Sequence, residues 1–268
     1  MKRKYNYNFV NKFKITNICS IVLVISSFLL IFFKGLNFGI DFKGGTLMEV
    51  RIISENITIS DVRSSFSRMN LGDLNVKEFG KKGDYLIKFE KKTLDNSDNL
   101  KNIKQNFKND IQSDVNFRRI ENVGPKVSAE LLNSGLMAIA LSLGAMLFYI
   151  WVRFEWQFSL GSILAIFHDV LITIGLFSFL SLEINLSIVA AVLTIVGYSM
   201  NDTVVIYDRI RENLRKISSL KIGEISNISI NETLSRTIIT SATTLLALIS
   251  IFVLGGEILR GFALAMII

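Results

Sequence analysis

Five stretches of the chain are dominated by apolar residues over the length a bilayer demands: Ile15–Phe33, Leu131–Val152, Phe158–Leu182, Ile184–Tyr207 and Thr237–Leu254. A hydrocarbon core of about 30 Å takes roughly 20 helical residues, so each predicts a membrane helix. A sixth apolar run starts at Ile258 and has 11 residues by Ile268, too few to span. The expectation is a six-helix bundle whose last helix is incomplete here. Residues 34–125 follow a different pattern. Thr46–Ile53 alternates Leu47, Glu49 and Arg51 against Met48, Val50 and Ile52, the period of a strand. Ser60 can cap a helix through Asn70, with Val62, Phe66 and Met69 on one face. Strands are expected at Asn75–Phe79 and Tyr85–Glu90 around a turn at Gly80–Asp84. A helix over Asn99–Ile111 and a strand over Val115–Ile120 complete the order β-α-β-β-α-β, which predicts an α+β ferredoxin-like domain. Its expected core includes Val50, Ile52, Phe66, Ile87, Phe89, Ile103, Phe107 and Phe117. No carboxylates stand at a catalytic spacing there, so its role is contact.

Composition agrees with a polytopic α-helical membrane protein: of 268 residues half are hydrophobic, mean hydropathy is +0.43, and there is one proline. The net charge of +7 would ordinarily raise nucleic acid as a partner, but its distribution explains it otherwise. Lys2, Arg3, Lys4, Lys12 and Lys14 precede the first span, and Arg153 lies between the second and third. Arg209, Arg211, Arg215, Lys216 and Lys221 follow the fourth, while the turn Leu182–Asn185 has no basic residue. The positive-inside rule places the N-terminus in the cytoplasm. The expected organisation is a basic cytoplasmic tail over 1–14, a first span over 15–33, an extracytoplasmic domain over 34–125, and a membrane domain over 126–268 with a cytoplasmic loop at 208–235. The first span lacks an Ala-x-Ala cleavage site and is too long for a signal peptide, so it reads as an uncleaved anchor. The single cysteine, Cys19, and single histidine, His168, leave no disulfide, metal or Cys/His catalytic set, and no Walker loop is present. No cofactor and no enzyme activity are expected.

The candidate chemistry lies inside the spans. Asp202, beside Asn201, sits within the apolar run, about five residues or 7 Å before the charges begin. A carboxylate there must be paired, hydrated through a cavity, or protonated. It either snorkels beside Asp208 and Arg209 or serves as a proton or ion site; aspartate is too short to snorkel far. In the third span, Asp169 shares a stripe with Gly161, Ala165 and Thr173 that lets a neighbouring helix approach. His168 beside it reads equally as a structural histidine or a proton carrier. Arg236 heads a face with Thr240, Thr243 and Ala247, and Ser229–Glu232 has the spacing of a capping box, predicting a helix that starts in the cytoplasm and runs on into the membrane. Asp202 and Arg236 fall on the same half. Two readings stand: a static ion pair that fixes packing, or a contact whose breaking lets Asp202 take up a proton. In Gly39–Gly45, the glycines either give the backbone freedom to turn from helix to strand or admit a substrate; Asp41 is placed to anchor the turn. Phosphate binding is not expected, because no helix N-terminus follows the glycines.

Three motifs in correct order resemble the SecD/SecF family of protein-export membrane proteins, on its SecF side. They are Gly39-Ile40-Asp41-Phe42-Lys43-Gly44-Gly45 after the first span, Val123-Gly124-Pro125 with Glu130-Leu131 before the second, and Gly197-Tyr198-Ser199-Met200-Asn201-Asp202-Thr203-Val204-Val205 in the fourth. Ser128 departs from the family's pattern, which usually has glycine there. The resemblance implies a bundle related to resistance-nodulation-division transporters in the bacterial inner membrane. It also implies partnership with SecD beside the SecYEG channel and YajC, and proton flow that helps draw exported preproteins outward. The family's transport-linked Asp and Arg fall at Asp202 and Arg236. Two other classes remain beside an export subunit: half of a small-molecule or lipid exporter, and a passive translocon scaffold.

Overall fold

A computed structural model of the protein describes residues 7–54, 57–90, 97–154, 156–217 and 219–268. Lys2, Arg3 and Lys4 of the basic tail lie outside the described residues. After a 3-10 turn at Val10–Lys12 the elements run α1 (Phe13–Lys34), β1 (Asn37–Phe38), α2 (Ile40–Lys43), β2 (Gly45–Ile52), α3 (Ile59–Arg68), β3 (Leu74–Glu78), β4 (Asp84–Phe89), α4 (Ser97–Ile111) and β5 (Val115–Val123). Then follow α5 (Pro125–Arg153), α6 (Trp156–Phe179), β6 (Glu183–Ile184), α7 (Leu186–Lys216), α8 (Ile222–Leu254) and α9 (Glu257–Ile267). The chain divides into two compact units, residues 38–136 and the remainder.

In the unit over residues 38–136 the strands form one sheet in the order β3-β4-β2-β5, each pair antiparallel. The alternation of β2 places Met48, Val50 and Ile52 in the core, and the register sets Met48 opposite Ile87 and Val50 opposite Tyr85. α3 and α4 cover that face, bringing Phe66 and Phe107 together with ring centroids 4.7 Å apart. Two expectations are corrected. The cap of α3 is Thr58, not Ser60: Thr58 and Asp61 form a capping box, the Thr-x-x-Asp spacing supplying both halves. Phe117 is only partly buried. β5 is an edge strand, and a register shift opposite Glu49 and Val50 inserts Arg118 as an extra residue.

The other unit is built from helices. Five of them, Val10–Lys34 (α1 with its leading turn), α5, α6, α7 and α8, are long and apolar enough to cross a membrane, and the protein is a multi-pass membrane protein. α9 has 11 residues. α1 packs on α6 where Gly175 lies against Ser27, so close that a Cβ at residue 175 would overlap Ser27. Ser178 Oγ then donates to the carbonyls of Gly35 at 2.7 Å and Leu30 at 3.2 Å. Ile150, Phe154, Ile166, Val196 and Met200 form a cluster joining α5, α6 and α7. Other hydroxyls within the spans return to their own helices, as Thr194 Oγ1 does to Ala190 O at 2.8 Å and Thr243 Oγ1 to Ile239 O at 2.9 Å. In hydrocarbon such back-bonding satisfies groups that water cannot reach.

α8 runs unbroken from Ile222 to Leu254, so Ser229–Glu232 is helix interior and not a cap. Ser229 is fully buried and donates to Ile225 O at 2.8 Å. The spacing that resembles a capping box there serves contacts with α7.

Candidate functional site

The glycine motif turns the chain into the sheet. Gly39 has φ −73° and needs no glycine, whereas Gly44 and Gly45 have φ +79° and +130°. Gly45 also has no room for a side chain, since a Cβ would lie 2.8 Å from Phe89 O on β4. Gly44 faces Val123 O and Ser128 Oγ, and buried Ser128 donates to Pro125 O at 3.0 Å. The residue that departs from the family's glycine is therefore accommodated against Gly44. Contrary to expectation, a helix does follow Gly39, but α2 is a single turn, with Asp41 in it and Lys43 N bonded to Gly39 O.

The intramembrane charges gather on α6, α7 and α8. α7 starts at an Asn185 cap, whose side chain accepts from Ile188 N at 3.2 Å. It then carries both Ser199 and Asp202 on successive turns. The stripe predicted on α6 faces α7: Gly161 lies under the Tyr207 hydroxyl, and Asp169 Oδ2 accepts from Ser199 Oγ at 2.6 Å. His168 Nδ1 meets the other carboxylate oxygen of Asp169 at 2.8 Å. These groups and Tyr198 border a cavity of about 430 Å³. Among the described residues, His168 Nε2 and Tyr198 OH are buried with no hydrogen-bond partner.

Asp202 stands apart from this cluster. Its Oδ1 is buried and, among the described residues, has no partner. Arg236 on α8 is near enough for its charge to act on Asp202, yet no hydrogen bond or ion pair joins the two among the described contacts. Arg236 instead borders a second cavity of about 610 Å³, whose charged lining also holds Arg153, Arg209, Arg211, Arg215 and Lys216 with Asp208 and Glu212. Asn201 is exposed on α7. The structure thus brings His168, Asp169 and Ser199 together, sets Asp202 beside Arg236 without closing the pair, and leaves Asn201 outside both.

Beyond Asp202 a polar lattice ties α7 to α8. Arg209 Nε binds Glu232 at 2.7 Å and also pairs with Glu212; Asn213 Nδ2 donates to Glu232 at 2.8 Å and to Ser229 Oγ at 3.0 Å. Asn231 and Asn227 clasp the segment before α1. Asn231 exchanges two bonds of 2.8 Å with the backbone of Tyr7, and Asn227 accepts from Phe9 N at 2.8 Å. Sequence reasoning missed Ser199, Asn213, Asn227 and Asn231 as structural partners. Ser199 lies three residues before Asp202, a spacing that marks the same helix face. The clasp of Tyr7 joins residues 224 apart, and no local pattern announces it.

Residues 102–268 match the family described as protein export membrane protein SecD/SecF, C-terminal, and residues 29–52 match the SecD/SecF GG motif. The chain is 44% identical over 264 residues to protein translocase subunit SecF of Rickettsia bellii, covering 98% of this chain and 87% of that one. It is 42% identical over 261 residues to protein translocase subunit SecF of Rickettsia prowazekii, covering 97% and 84%. Among solved structures it is similar to SecDF, a translocon-associated membrane protein from Thermus, with TM-score 0.87 and 34% identity. That match covers 100% of this chain and 36% of the solved one, so the chain spans about a third of its length. SecDF in a super-membrane-facing form matches with TM-score 0.70 at 34% identity, over 98% of this chain and 36% of the other.

Proposed function

Since the chain belongs to the SecD/SecF family of protein export membrane proteins, we propose that it is a SecF-type protein translocase subunit that uses protonation of Asp202 to couple the proton gradient to export of preproteins. Its relatives are named as translocase subunits, and the chain matches 36% of the solved protein named SecDF. A separate SecD is the simplest source of the complementary half, arranged about a pseudo-twofold axis in a bacterial inner membrane. The SecYEG channel, YajC and membrane lipids are further partners in this reading. α9 is read as the start of the sixth helix, and the unit over residues 38–136 as a ferredoxin-like domain outside the cytoplasm.

The observation that carries the mechanism is Asp202 itself. Its Oδ1 is buried in the apolar part of α7 without a partner among the described residues, while Arg236 stands near but unpaired. A carboxylate in that setting has two accessible states. Approach of the guanidinium favours the ionised form, and withdrawal favours the protonated one. A change of shape that moves α8 against α7 therefore loads or releases one proton. His168, Asp169 and Ser199 form a second polar site on the α6 side, bordering a cavity of about 430 Å³.

A scaffold would be served better by a closed ion pair than by an open one. Half of a small-molecule exporter finds no support in the names of the relatives. The deciding experiment measures preprotein export in cells carrying Asp202→Asn, with the proton gradient intact and after an uncoupler. Loss of the gradient-dependent component at normal protein levels supports coupling. Full gradient-dependent export refutes it.

A further inference from the structure

α4 carries asparagine at 99, 102, 106 and 109, the three-and-four spacing of one helix face. All four line a groove of about 610 Å³ on the unit over residues 38–136. The floor is apolar, formed by Met69, Leu71 and Ile103, of which Leu71 and Ile103 are buried. The carboxamides of Asn102, Asn106 and Asn109 are exposed, with no hydrogen-bond partner among the described residues. Asparagine is a poor helix former, and nothing in the packing of α4 asks for it at these positions.

The chemistry of the groove narrows its ligand. Arg68, at the groove's edge, is already engaged by Asp110 at 3.0 Å, and Ser65 donates to the same carboxylate at 2.8 Å. No uncommitted arginine is therefore available to hold an anion. Among the described residues, no aromatic ring lines the groove to stack on a sugar or a base. What remains is the row of Asn102, Asn106 and Asn109, neutral groups each offering one acceptor and two donors. That is the complement of a peptide bond, which presents one donor and one acceptor on each residue.

We propose that this groove binds an extended stretch of unfolded polypeptide through its main chain. From residue 102 to residue 109 the helix rises about 10 Å, the reach of about three extended residues at about 3.3 Å each. Main-chain recognition by carboxamides does not depend on sequence, and the apolar floor accepts whichever alternate side chains point inward. The proposal deepens the translocase reading and rests on it: the ligand is the preprotein in transit.

The test places a photoreactive amino acid at Met69 in the full complex in cells, with a secretory protein arrested mid-export by a tightly folded C-terminal domain. The arrested chain is expected to cross-link at Met69 whichever of its segments stands at the groove. Combining Asn102→Ala, Asn106→Ala and Asn109→Ala should lower the yield at least fivefold. Alanine is the better helix former, so α4 persists in that variant. An undiminished yield, or one restricted to segments of a single charge type, overturns the proposal. So does silence at Met69 while a probe at Lys77 captures the arrested chain. Cells depleted of this protein separate the two levels. Slow export with a silent groove rejects the groove alone, whereas unchanged export on depletion rejects the translocase reading with it.

Discussion

Ser199 Oγ on α7 donates to Asp169 Oδ2 on α6 at 2.6 Å, within the part of both helices that is otherwise apolar. A carboxylate held this way is tied to a neighbouring helix as well as to His168 on its own. Ser199→Ala removes the donor and leaves Asp169 with one ligand fewer in hydrocarbon. Hydrogen bonds between membrane helices contribute about 0.6 kcal/mol on average and up to about 1.7. The purified protein in detergent should lose about that much stability, read as a lower midpoint of thermal unfolding. An unchanged midpoint would mean that water replaces the hydroxyl from the adjoining cavity.

The organisation of charge makes a topological prediction. If the unit over residues 38–136 lies outside the cytoplasm and the turn between α7 and α8 lies inside, single cysteines at Lys82 and Ser219 should label oppositely. Both positions are exposed. An impermeant thiol reagent applied to intact cells of a Cys19→Ser background should reach Lys82→Cys and spare Ser219→Cys. Equal labelling would remove the orientation that the proposed proton coupling requires.

Within the sheet unit, depth of burial sorts the aromatic residues. Phe107 is fully buried against Phe66, while Phe117 packs at the edge. Phe107→Ala should cost about 3–5 kcal/mol, the usual range for a deleted core phenylalanine, and Phe117→Ala clearly less. Chemical denaturation of the fragment over residues 38–123 measures both. Equal costs would place β5 more deeply than its edge position implies.

Asp84 provides a pH dependence with a definite sign. It is buried, bonded by Arg51 at 2.6 Å and 2.5 Å and by Arg118 at 3.3 Å. The hydrogen bonds from Arg51 hold its carboxyl below the usual aspartate range, against the opposing effect of burial. A carboxyl depressed in the folded state adds stability above its unfolded pKa of about 3.9 and loses it as pH falls towards the folded value. The sheet unit should therefore lose stability on acidification below about pH 4. In Asp84→Asn that part of the acid sensitivity should disappear, measured by denaturation from pH 7 to pH 2. An unaltered acid profile would assign the sensitivity to other carboxylates.

What was legible in the sequence followed a period or a length. The alternation of β2 set Met48, Val50 and Ile52 on one face, the face that is buried, and the run lengths located five spans. What was not legible depended on competition among local signals or on contacts between distant segments. Ser60 was expected to cap α3, but Thr58 does so, because Asp61 stands at the spacing that closes the box with it. Ser229 and Glu232 carried the same spacing inside a helix, where it serves Asn213 and Arg209 instead. A bulge opposite Glu49 and Val50 drew Phe117 towards the edge. The bond between Asp169 and Ser199 joins helices whose pairing no pattern in either one specifies.

The open relation between Asp202 and Arg236 separates two roles for the arginine. As a charge acting across space, Arg236 needs no fork, and Arg236→Lys would retain the function. As a partner that closes on Asp202 during the cycle, it uses the planar guanidinium to grip both carboxylate oxygens, which an ammonium cannot reproduce. Two features favour the second. Arg236 borders a cavity shared with five other cationic side chains, where its charge alone would be redundant. Asp202 Oδ1 has no other partner among the described residues, so a closing arginine would satisfy it. Arg236→Lys should therefore give gradient-dependent export between wild type and Asp202→Asn, with Arg236→Ala as low as Asp202→Asn. Combining Arg236→Ala with Asp202→Asn should lower export no further, because two residues that act on one proton fail as a unit. Export that falls again in the double variant would assign the two residues to separate steps, and wild-type export by Arg236→Lys would reduce the arginine to a distant charge.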